Sequence, residues 1–173
     1  MLEGGAGDDL IVSNGAGSNG TAYEIISLGG DGDDTLSHTV DVLPPLVFPY
    51  DQPARLTGGA GADTFSINLA IGKGTFEPSV DDPAVFTTSA GLLEDFERGT
   101  DSLTIDLSEI DTAYSAISAR MIENVGNGTT DIILRLTDNS NPPNDVIVRV
   151  AATGLSWNDV AFIGRDPTFL NAA

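Results

Sequence analysis

Gly29-Gly30-Asp31-Gly32-Asp33-Asp34-Thr35-Leu36-Ser37 is a nonapeptide whose pattern occurs three times in the first 66 residues. The other copies begin with Gly4-Gly5-Ala6-Gly7-Asp8-Asp9 and Gly58-Gly59-Ala60-Gly61-Ala62-Asp63, in the same internal register. In every copy, glycines occupy places one, two and four, an aspartate occupies place six and a large apolar residue occupies place eight. Three copies in one register are a specific signal, because a single copy would be an ordinary glycine–aspartate turn.

The residue types of this nonapeptide suit a hard cation such as calcium. Glycine adopts backbone angles closed to other residues, which lets neighbouring carbonyl groups turn toward one point. The place-six aspartates Asp9, Asp34 and Asp63 add carboxylate oxygens, and calcium takes about six to eight such oxygen ligands in a flexible shell. The apolar residue at place eight then faces inward from a very short strand. A set of solvated hairpin turns without metal is the alternative interpretation.

Composition narrows the class of protein and of partner. A chain of 173 residues, 40% of them apolar, suits one domain with a core of its own. Only 7 residues are Lys or Arg against 26 Asp or Glu, and the net charge of -19 disfavours nucleic acid and anionic membrane as partners. The same charge opposes compaction unless cations neutralise part of it, and bound divalent metal is the simplest way to do so.

Some common structural devices are missing from the sequence. There are no cysteines, which excludes disulfides, thiolate metal sites and a cysteine nucleophile. No basic-then-apolar leader opens the chain, and no apolar run is long enough to span a bilayer. We therefore expect no membrane span and, for any export, a route that does not read an N-terminal signal.

The spacing of the copies predicts a coiled chain with long insertions. Repeats beginning at 4, 29 and 58 are 25 and 29 residues apart, which is more than two nonapeptides occupy. We infer that each coil has a regular turn on one side and an enlarged turn on the other. Residues 14–19 look like a decayed repeat with Asn19 in place of the aspartate. Residues 44–50, rich in proline, indicate either a rigid surface loop or a polyproline-type ligand.

A different organisation is predicted after residue 91. Residues 92–103 end in Gly99-x-Asp101-x-Leu103, which repeats the second half of the nonapeptide as a closing turn. Ser108 is placed to cap a short helix over 109–116, and Ser156 to cap a single helical turn. Strand-like runs separated by glycine-, asparagine- and proline-rich turns favour an antiparallel meander over 117–123, 130–137 and 145–151.

These motifs resemble the hemolysin-type calcium-binding repeats of RTX proteins. Residues 93–108 are similar to the segment that closes the β-roll in serralysin-type proteases and in the R-modules of mannuronan epimerases. The resemblance covers residues 4–37, 58–66 and about 92–163. The chain departs from the family in its longer spacings, in its degenerate opposite turns and in the residues after 163, where the serralysin tail usually stops.

The resemblance implies an all-β fold, a right-handed parallel β-roll with long insertions that is closed by a C-terminal antiparallel β meander. Residues 1–108 are expected to form the calcium-binding roll. Residues 109–173 are expected to form a capping β region that carries a type I secretion signal and continues the roll as one domain. Calcium is expected between successive turns on one side, in a single shortened row.

The resemblance also implies the ligands of that row. Each ion takes backbone carbonyls and aspartate carboxylates from the two turns beside it. Carried over by position, the sets are Gly5, Gly7 and Asp9 with Gly29, Asp31 and Asp34; Gly30, Gly32 and Asp34 with Gly58, Ala60 and Asp63; and Gly59, Gly61 and Asp63 with Asp95 and Asp101.

The implied function is a non-catalytic calcium-binding module of a secreted bacterial protein, which folds on extracellular calcium after export by type I secretion machinery. The residues contain no catalytic constellation: the only histidine is His38, and neither H-E-x-x-H nor G-x-S-x-G is present. A glycosidase carboxylate pair within residues 94–101 explains those acids less well than a closing turn does.

The sequence also allows an alternative function. A calcium-dependent adhesion or extracellular polysaccharide-binding module is the alternative function, aided by Arg120, Arg135 and Arg149 on the expected meander.

The start of the chain suggests a second partner. Met1-Leu2-Glu3 leads directly into the first turn, so the first coil is expected to expose strand edges and an apolar cross-section. Either upstream residues of a larger protein cover that end or two copies pack there, and we favour an end-to-end homodimer.

Overall fold

The computed structural model describes residues 1–16, 25–42, 54–72, 86–138 and 143–170. Across these ranges the chain is all-β apart from two single turns of 3-10 helix, Val125–Asn127 and Trp157–Asp159. The strands are β1 (Leu2–Ala6), β2 (Leu10–Ala16), β3 (Ile26–Asp31), β4 (Thr35–Val42), β5 (Ala54–Ala60), β6 (Thr64–Ile71), β7 (Phe86–Leu93), β8 (Ser102–Asp106), β9 (Ala116–Asn124), β10 (Thr129–Thr137), β11 (Asn144–Val150), β12 (Val160–Ile163) and β13 (Thr168–Phe169). None of the described residues belongs to a helix that is long and apolar enough to cross a membrane.

The strands of the repeat region alternate between two sheets, so the chain winds as a roll. The sheet orders are β1-β3-β5-β7-β11-β10-β9-β13 and β12-β8-β6-β4-β2. Strands of successive coils pair in parallel: β1, β3, β5 and β7 follow one another in the eight-stranded sheet. Likewise β2, β4, β6 and β8 follow one another in the five-stranded sheet. The predicted all-β parallel β-roll is confirmed.

The glycine–aspartate repeats stack in register because each occupies the same place in its coil. On one side of the turns Gly5 pairs with Gly30, and Gly30 with Gly59. On the other side Leu36 pairs with Phe65. One repeat therefore lies directly above the next, and the turns form a continuous column along one side of the roll.

The core lies between the two sheets and follows the period-two alternation of the strands. In β6 the side chains of Phe65, Ile67, Leu69 and Ile71 are at most 1% exposed, and half-exposed residues alternate with them. Full burial of such a side chain contributes roughly 1.5–3 kcal/mol. The inward apolar ladder therefore supplies hydrophobic stabilisation that the glycine turns lack.

The C-terminal region contains the predicted antiparallel meander and also continues the roll. Strand β10 pairs antiparallel with β9 and with β11, as predicted. However, β11 also pairs in parallel with β7, and β12 pairs in parallel with β8. The chain thus returns to both sheets and adds a further coil after the meander. The boundary at residue 108 stays a prediction, although the sheets are continuous across it.

The helix predicted over 109–116 is wrong. Residues 107–115 form turns and bends, in which the Asp111 carboxylate accepts the Ala113 backbone N–H at 2.8 Å. Ile110 and Tyr114 are buried there as anchors. Short side-chain hydrogen bonds of this kind satisfy the backbone locally and compete with a helix. The helical turn predicted after Ser156 is confirmed as the single 3-10 turn Trp157–Asp159.

Two predicted features cannot be placed on the fold. Residues 17–19 of the decayed repeat, including Asn19, lie outside the described residues, as do residues 44–50, whereas residues 14–16 form the end of β2.

Candidate metal site between the turns

The column of turns contains three gaps, each lying between two neighbouring turns. Gap one lies between the turns that follow β1 and β3, and gap two between the turns that follow β3 and β5. Gap three lies between the turn that follows β5 and the closing turn, residues 94–101, that joins β7 to β8. Parallel pairing of the flanking strands aligns the four turns.

A ladder of hydrogen bonds fixes the place-six aspartates. The Asp9 backbone N–H donates to Asp34 Oδ1 at 2.8 Å, and the Asp34 N–H donates to Asp63 Oδ1 at 2.8 Å. The Asp63 N–H donates in turn to Asp101 Oδ1 at 2.9 Å. The carboxylates of Asp34, Asp63 and Asp101 are therefore each held against the preceding turn through Oδ1, and the second oxygen, Oδ2, takes no part in this ladder.

In gaps one and two that second oxygen has no partner in the protein. Asp9 Oδ2 and Asp34 Oδ2 are buried and accept no hydrogen bond, and Asp34 as a whole is only 1% exposed. Leaving a carboxylate oxygen buried and unpaired is costly, because the charge has lost its hydration. A cation is the kind of group that suits these two oxygens.

Backbone carbonyls approach the same two places. A Cβ added at Gly4 would lie 2.7 Å from both Asp9 Oδ2 and the Gly29 carbonyl oxygen. One turn later, a Cβ added at Gly29 would clash with Asp34 Oδ2 and with the Gly58 carbonyl oxygen. Glycine at place one thus leaves the space into which a carboxylate and a carbonyl converge, and the arrangement repeats from gap one to gap two.

The carbonyls of places two and four also lie at the facing turn. A Cβ on Gly30 would clash with the Gly5 carbonyl oxygen, and one on Gly32 would lie 2.6 Å from the Gly7 carbonyl oxygen. Gly30 and Gly32 also have φ of +124° and +135°, values that side-chain-bearing residues rarely adopt. Both the close approach and the backbone angle therefore require glycine at these places.

Gap three is closed differently. The Gly58 and Gly59 backbone N–H groups donate to Asp95 Oδ1 and Oδ2, at 2.9 and 2.8 Å. Asp101 Oδ2 accepts the Glu97 N–H at 2.7 Å, while its Oδ1 accepts the Asp63 N–H. Both carboxylates therefore have both oxygens engaged by backbone donors, so this gap is held by the protein's own hydrogen bonds.

The predicted ligands fall into four groups. Asp9 Oδ2 and the Gly29 carbonyl converge in gap one, and Asp34 Oδ2 and the Gly58 carbonyl converge in gap two. The carbonyls of Gly5, Gly7, Gly30 and Gly32 lie against the backbone of the facing turn. The carbonyls of two others already accept hydrogen bonds, Asp31 from Gly7 N–H at 2.6 Å and Ala60 from Gly32 N–H at 2.8 Å. The set of gap three comprises Gly59, Gly61, Asp63, Asp95 and Asp101, and its role in metal binding stays a prediction.

The electrostatics of the column show repulsion among its carboxylates. Burial raises the pKa of Asp63, and the hydrogen bond from the Asp34 backbone N–H lowers it. The negative charges of Asp101, Asp34 and Asp95 also raise this pKa, so its net shift is upward. No three His, Cys, Asp or Glu side chains of the described ranges are grouped closely enough to hold a metal ion by themselves. A cation here would therefore need backbone carbonyls as well as carboxylates, which is the donor set that calcium accepts.

Two residues of this region were not among the predicted ligands. Gly4 faces the oxygens of gap one, and its place in the nonapeptide was the signal that could have included it. His38 is buried beside Ser13, with its Nδ1 2.9 Å from the Ser13 hydroxyl. Burial lowers the pKa of His38 to about 4, so the ring is neutral at physiological pH.

Comparison with known proteins identifies no family. No protein-family model matches this chain, and no curated protein matches it. The chain is a mostly-β protein with two largely parallel sheets.

Proposed function

We propose that this chain is a non-catalytic calcium-binding module of the RTX type, the family whose repeats it resembles. The observation that carries the proposal is the pair of buried, unpartnered oxygens, Asp9 Oδ2 and Asp34 Oδ2. Each converges with a glycine carbonyl of the facing turn, and the same arrangement occurs in two successive gaps. A single orphaned oxygen would be an isolated defect, whereas a repeated one indicates a repeated ligand.

Calcium fits these residues better than magnesium does. Carbonyl-rich turns offer several oxygens in an adaptable arrangement, which suits calcium's flexible shell, while magnesium requires near-ideal octahedral geometry and retains water. The residues that would hold calcium are those of gaps one and two, with Asp34 between the two ions. Calcium would supply the positive charge that the column of carboxylates otherwise lacks.

The charge of the chain supports a protein that folds outside the bacterial cell, after export by type I secretion machinery. With a net charge of -19, self-repulsion opposes the compact state, and ordering glycine-rich turns costs much conformational entropy. Extracellular calcium modules bind with Kd on the order of 10⁻⁴–10⁻³ M. Binding at that level would favour folding outside the cell and leave the chain unfolded at cytoplasmic calcium.

Isothermal titration calorimetry of chelator-stripped protein tests this function. We expect at least two calcium ions to bind, and about 10 mM magnesium not to replace them, because the donor set favours calcium. The matched variants are Asp34→Asn, which removes a charge facing gap two, and Asp33→Asn, which removes the neighbouring exposed charge but keeps the side-chain oxygen that accepts the Ala62 N–H. Absence of calcium binding, or equal loss in both variants, would overturn the proposal.

A calcium-dependent adhesion or polysaccharide-binding module is the second candidate. The three arginines predicted to aid this role, Arg120, Arg135 and Arg149, are paired with carboxylates on the eight-stranded sheet. Arg135 is bidentate to Asp145 at 2.7 and 2.8 Å, Arg149 is bidentate to Asp131, and Arg120 lies 3.7 Å from Asp145. An acidic polymer would have to compete with those carboxylates, so a polysaccharide partner is better sought on another surface.

An end-to-end homodimer remains our proposal for the first coil. Strands β1 and β2 are the terminal strands of the two described sheets, and Leu2 on β1 is 42% exposed. Leu10 and Val12, which are 70% and 62% exposed, are in register with Thr35 and Ser37 on the outer face of the sheet and flank this end. Light scattering in calcium should give twice the monomer mass, and Leu2→Lys should reduce it. A strict monomer at high protein concentration would contradict the dimer.

A further inference from the structure

The outer face of the five-stranded sheet carries an array of hydroxyl and amide side chains. Residues that alternate with the core on β4, β6 and β8 align across the strands. Their three rows are Thr35, Thr64 and Ser102; Ser37, Ser66 and Thr104; and Thr39, Asn68 and Asp106. Because neighbouring strands lie about 4.8 Å apart, these rows place donors and acceptors at regular intervals over a flat surface.

Hydrogen bonds among these side chains hold part of the array in place. The Asn68 amide nitrogen donates to Ser37 Oγ at 2.9 Å, and Ser66 Oγ donates to Asn68 Oδ1 at 3.2 Å. At the other end, Ser102 Oγ donates to Thr64 Oγ1 at 3.1 Å. The polar groups are therefore partly pre-oriented, which lowers the entropy lost when they bind a ligand.

The array is almost free of charge although the chain is strongly acidic. Of the nine residues in the three rows only Asp106 is ionisable. The eight-stranded sheet, in contrast, carries ion pairs such as Arg55 with Glu94 and Arg149 with Asp131. A partner for the neutral face therefore needs hydrogen-bonding groups more than it needs charge.

A pocket of about 300 Å³ lies at one end of this face. It is lined by Thr39, Asn68, Leu69, Asp106 and Glu109. The hydroxyl and the amide offer donors and acceptors, and the two carboxylates offer acceptors for hydroxyl groups. The same carboxylates repel an anionic ligand, so uronates and phosphates fit poorly.

We propose that this pocket binds one sugar unit of an uncharged polysaccharide, with neighbouring units lying along the hydroxyl rows. The inference deepens the second candidate function and rests on it. Sugar hydroxyls match the Asn68 amide and the carboxylates of Asp106 and Glu109 in hydrogen-bonding type. The rows beyond the pocket offer further hydroxyl and amide groups to the neighbouring sugar units of an extended chain.

Affinity electrophoresis of the calcium-loaded protein tests the proposal. Gels are cast with laminarin, dextran, galactomannan or hydroxyethyl cellulose, and with alginate and chitosan as the acidic and basic comparators. We expect at least one neutral polysaccharide to retard the protein, and Asn68→Ala to weaken that binding about tenfold or more. Glu109→Gln, an exposed substitution, should weaken it several-fold without affecting folding.

Thr39→Val and Thr168→Val form the matched control pair, because both remove a hydroxyl from a strand, but only Thr39 lines the pocket and Thr168 is an exposed residue of the eight-stranded sheet, outside the hydroxyl rows. Thr39→Val should weaken binding and Thr168→Val should change it less than twofold. Equal effects of the pair, retardation by alginate or chitosan alone, or no retardation in any neutral gel would each overturn the proposal. Calcium titration of the same variants should be unchanged, which separates failure of this proposal from failure of calcium binding.

Discussion

Gaps one and two of the turn column differ from gap three, although the same strand pairing aligns all of them. In the first two gaps, Asp9 Oδ2 and Asp34 Oδ2 face glycine carbonyls and have no hydrogen-bond partner. In the third gap, Asp95 and Asp101 use all their carboxylate oxygens to accept backbone N–H groups. Backbone donors cross all three gaps, but gaps one and two each keep one carboxylate oxygen unpaired, whereas in gap three both oxygens of Asp95 and of Asp101 have donors.

The difference indicates two ways of joining one coil to the next. In gaps one and two a buried carboxylate oxygen without a hydrogen-bond partner lies beside a glycine carbonyl, and we propose that a cation neutralises it, which would make the stability of these gaps depend on the calcium concentration. A gap in which carboxylates meet N–H groups is satisfied by the chain itself, and such charge-assisted hydrogen bonds are stronger than neutral ones. The carboxylates of the closing turn are therefore satisfied without metal, whereas we propose that the glycine turns of gaps one and two depend on calcium.

The largest expected effect comes from removing calcium altogether. In about 10 mM calcium, roughly 10–100 times the Kd expected for such sites, each bound ion stabilises the folded state by roughly 1.4–2.7 kcal/mol, so two ions contribute about 3–5 kcal/mol. Circular dichroism in chelator should show loss of β structure that millimolar calcium restores. An unchanged spectrum and an unchanged Tm in chelator would show that gaps one and two resemble gap three after all.

Asp34→Ala should have the next largest effect, because Asp34 takes part in both cation gaps. Its Oδ1 accepts the Asp9 N–H across gap one, and its Oδ2 faces gap two. Loss of a bound ion and of that hydrogen bond predicts destabilisation of about 3–4 kcal/mol in calcium. Urea unfolding and calorimetry should show a larger loss than for Asp9→Ala. Equivalent losses in the two variants would contradict the single-row arrangement.

His38 gives a pH test of the coils that carry the glycine turns. It lies on β4, between β2 and β6, and its pKa falls from 6.5 to about 4 through burial. The unfolded chain therefore binds more protons, and stability should fall as pH drops from 6.5 to 4, by at most roughly 3 kcal/mol. His38→Asn, measured by urea unfolding over that range, should lack this component. An identical pH profile in the variant would show that His38 is not its source.

Asp101→Ala should have the smallest effect of the four and should not depend on calcium. It leaves the Asp63 and Glu97 backbone N–H groups without their partner, which predicts a loss of about 2 kcal/mol. Urea unfolding in calcium and in chelator should give the same difference from the parent protein. A loss seen only in calcium would assign Asp101 to a metal site.

The repeat half was largely predictable, because its determinants are local. Glycines at places two and four indicate the positive φ angles that the turns require, as at Gly30. The alternation of apolar residues indicates which side of each strand faces the core. Stacking of three identical registers then follows from the pattern itself. The helix predicted over 109–116 failed because side-chain hydrogen bonds of Asp111 and the burial of Ile110 and Tyr114 favoured turns.

The sequence by itself determined the β-roll, the order of its turns and the aspartates that approach the gaps, since each depends on residues within one nonapeptide. Only the tertiary structure decided which of those aspartates keep an unpartnered oxygen, because that depends on the donors of a turn 25 or more residues away. It also decided that β11 joins both the meander and β7, and that Thr39, Asn68 and Asp106 line one pocket. Pairing between strands distant in the chain brings these groups together, and no local pattern records it.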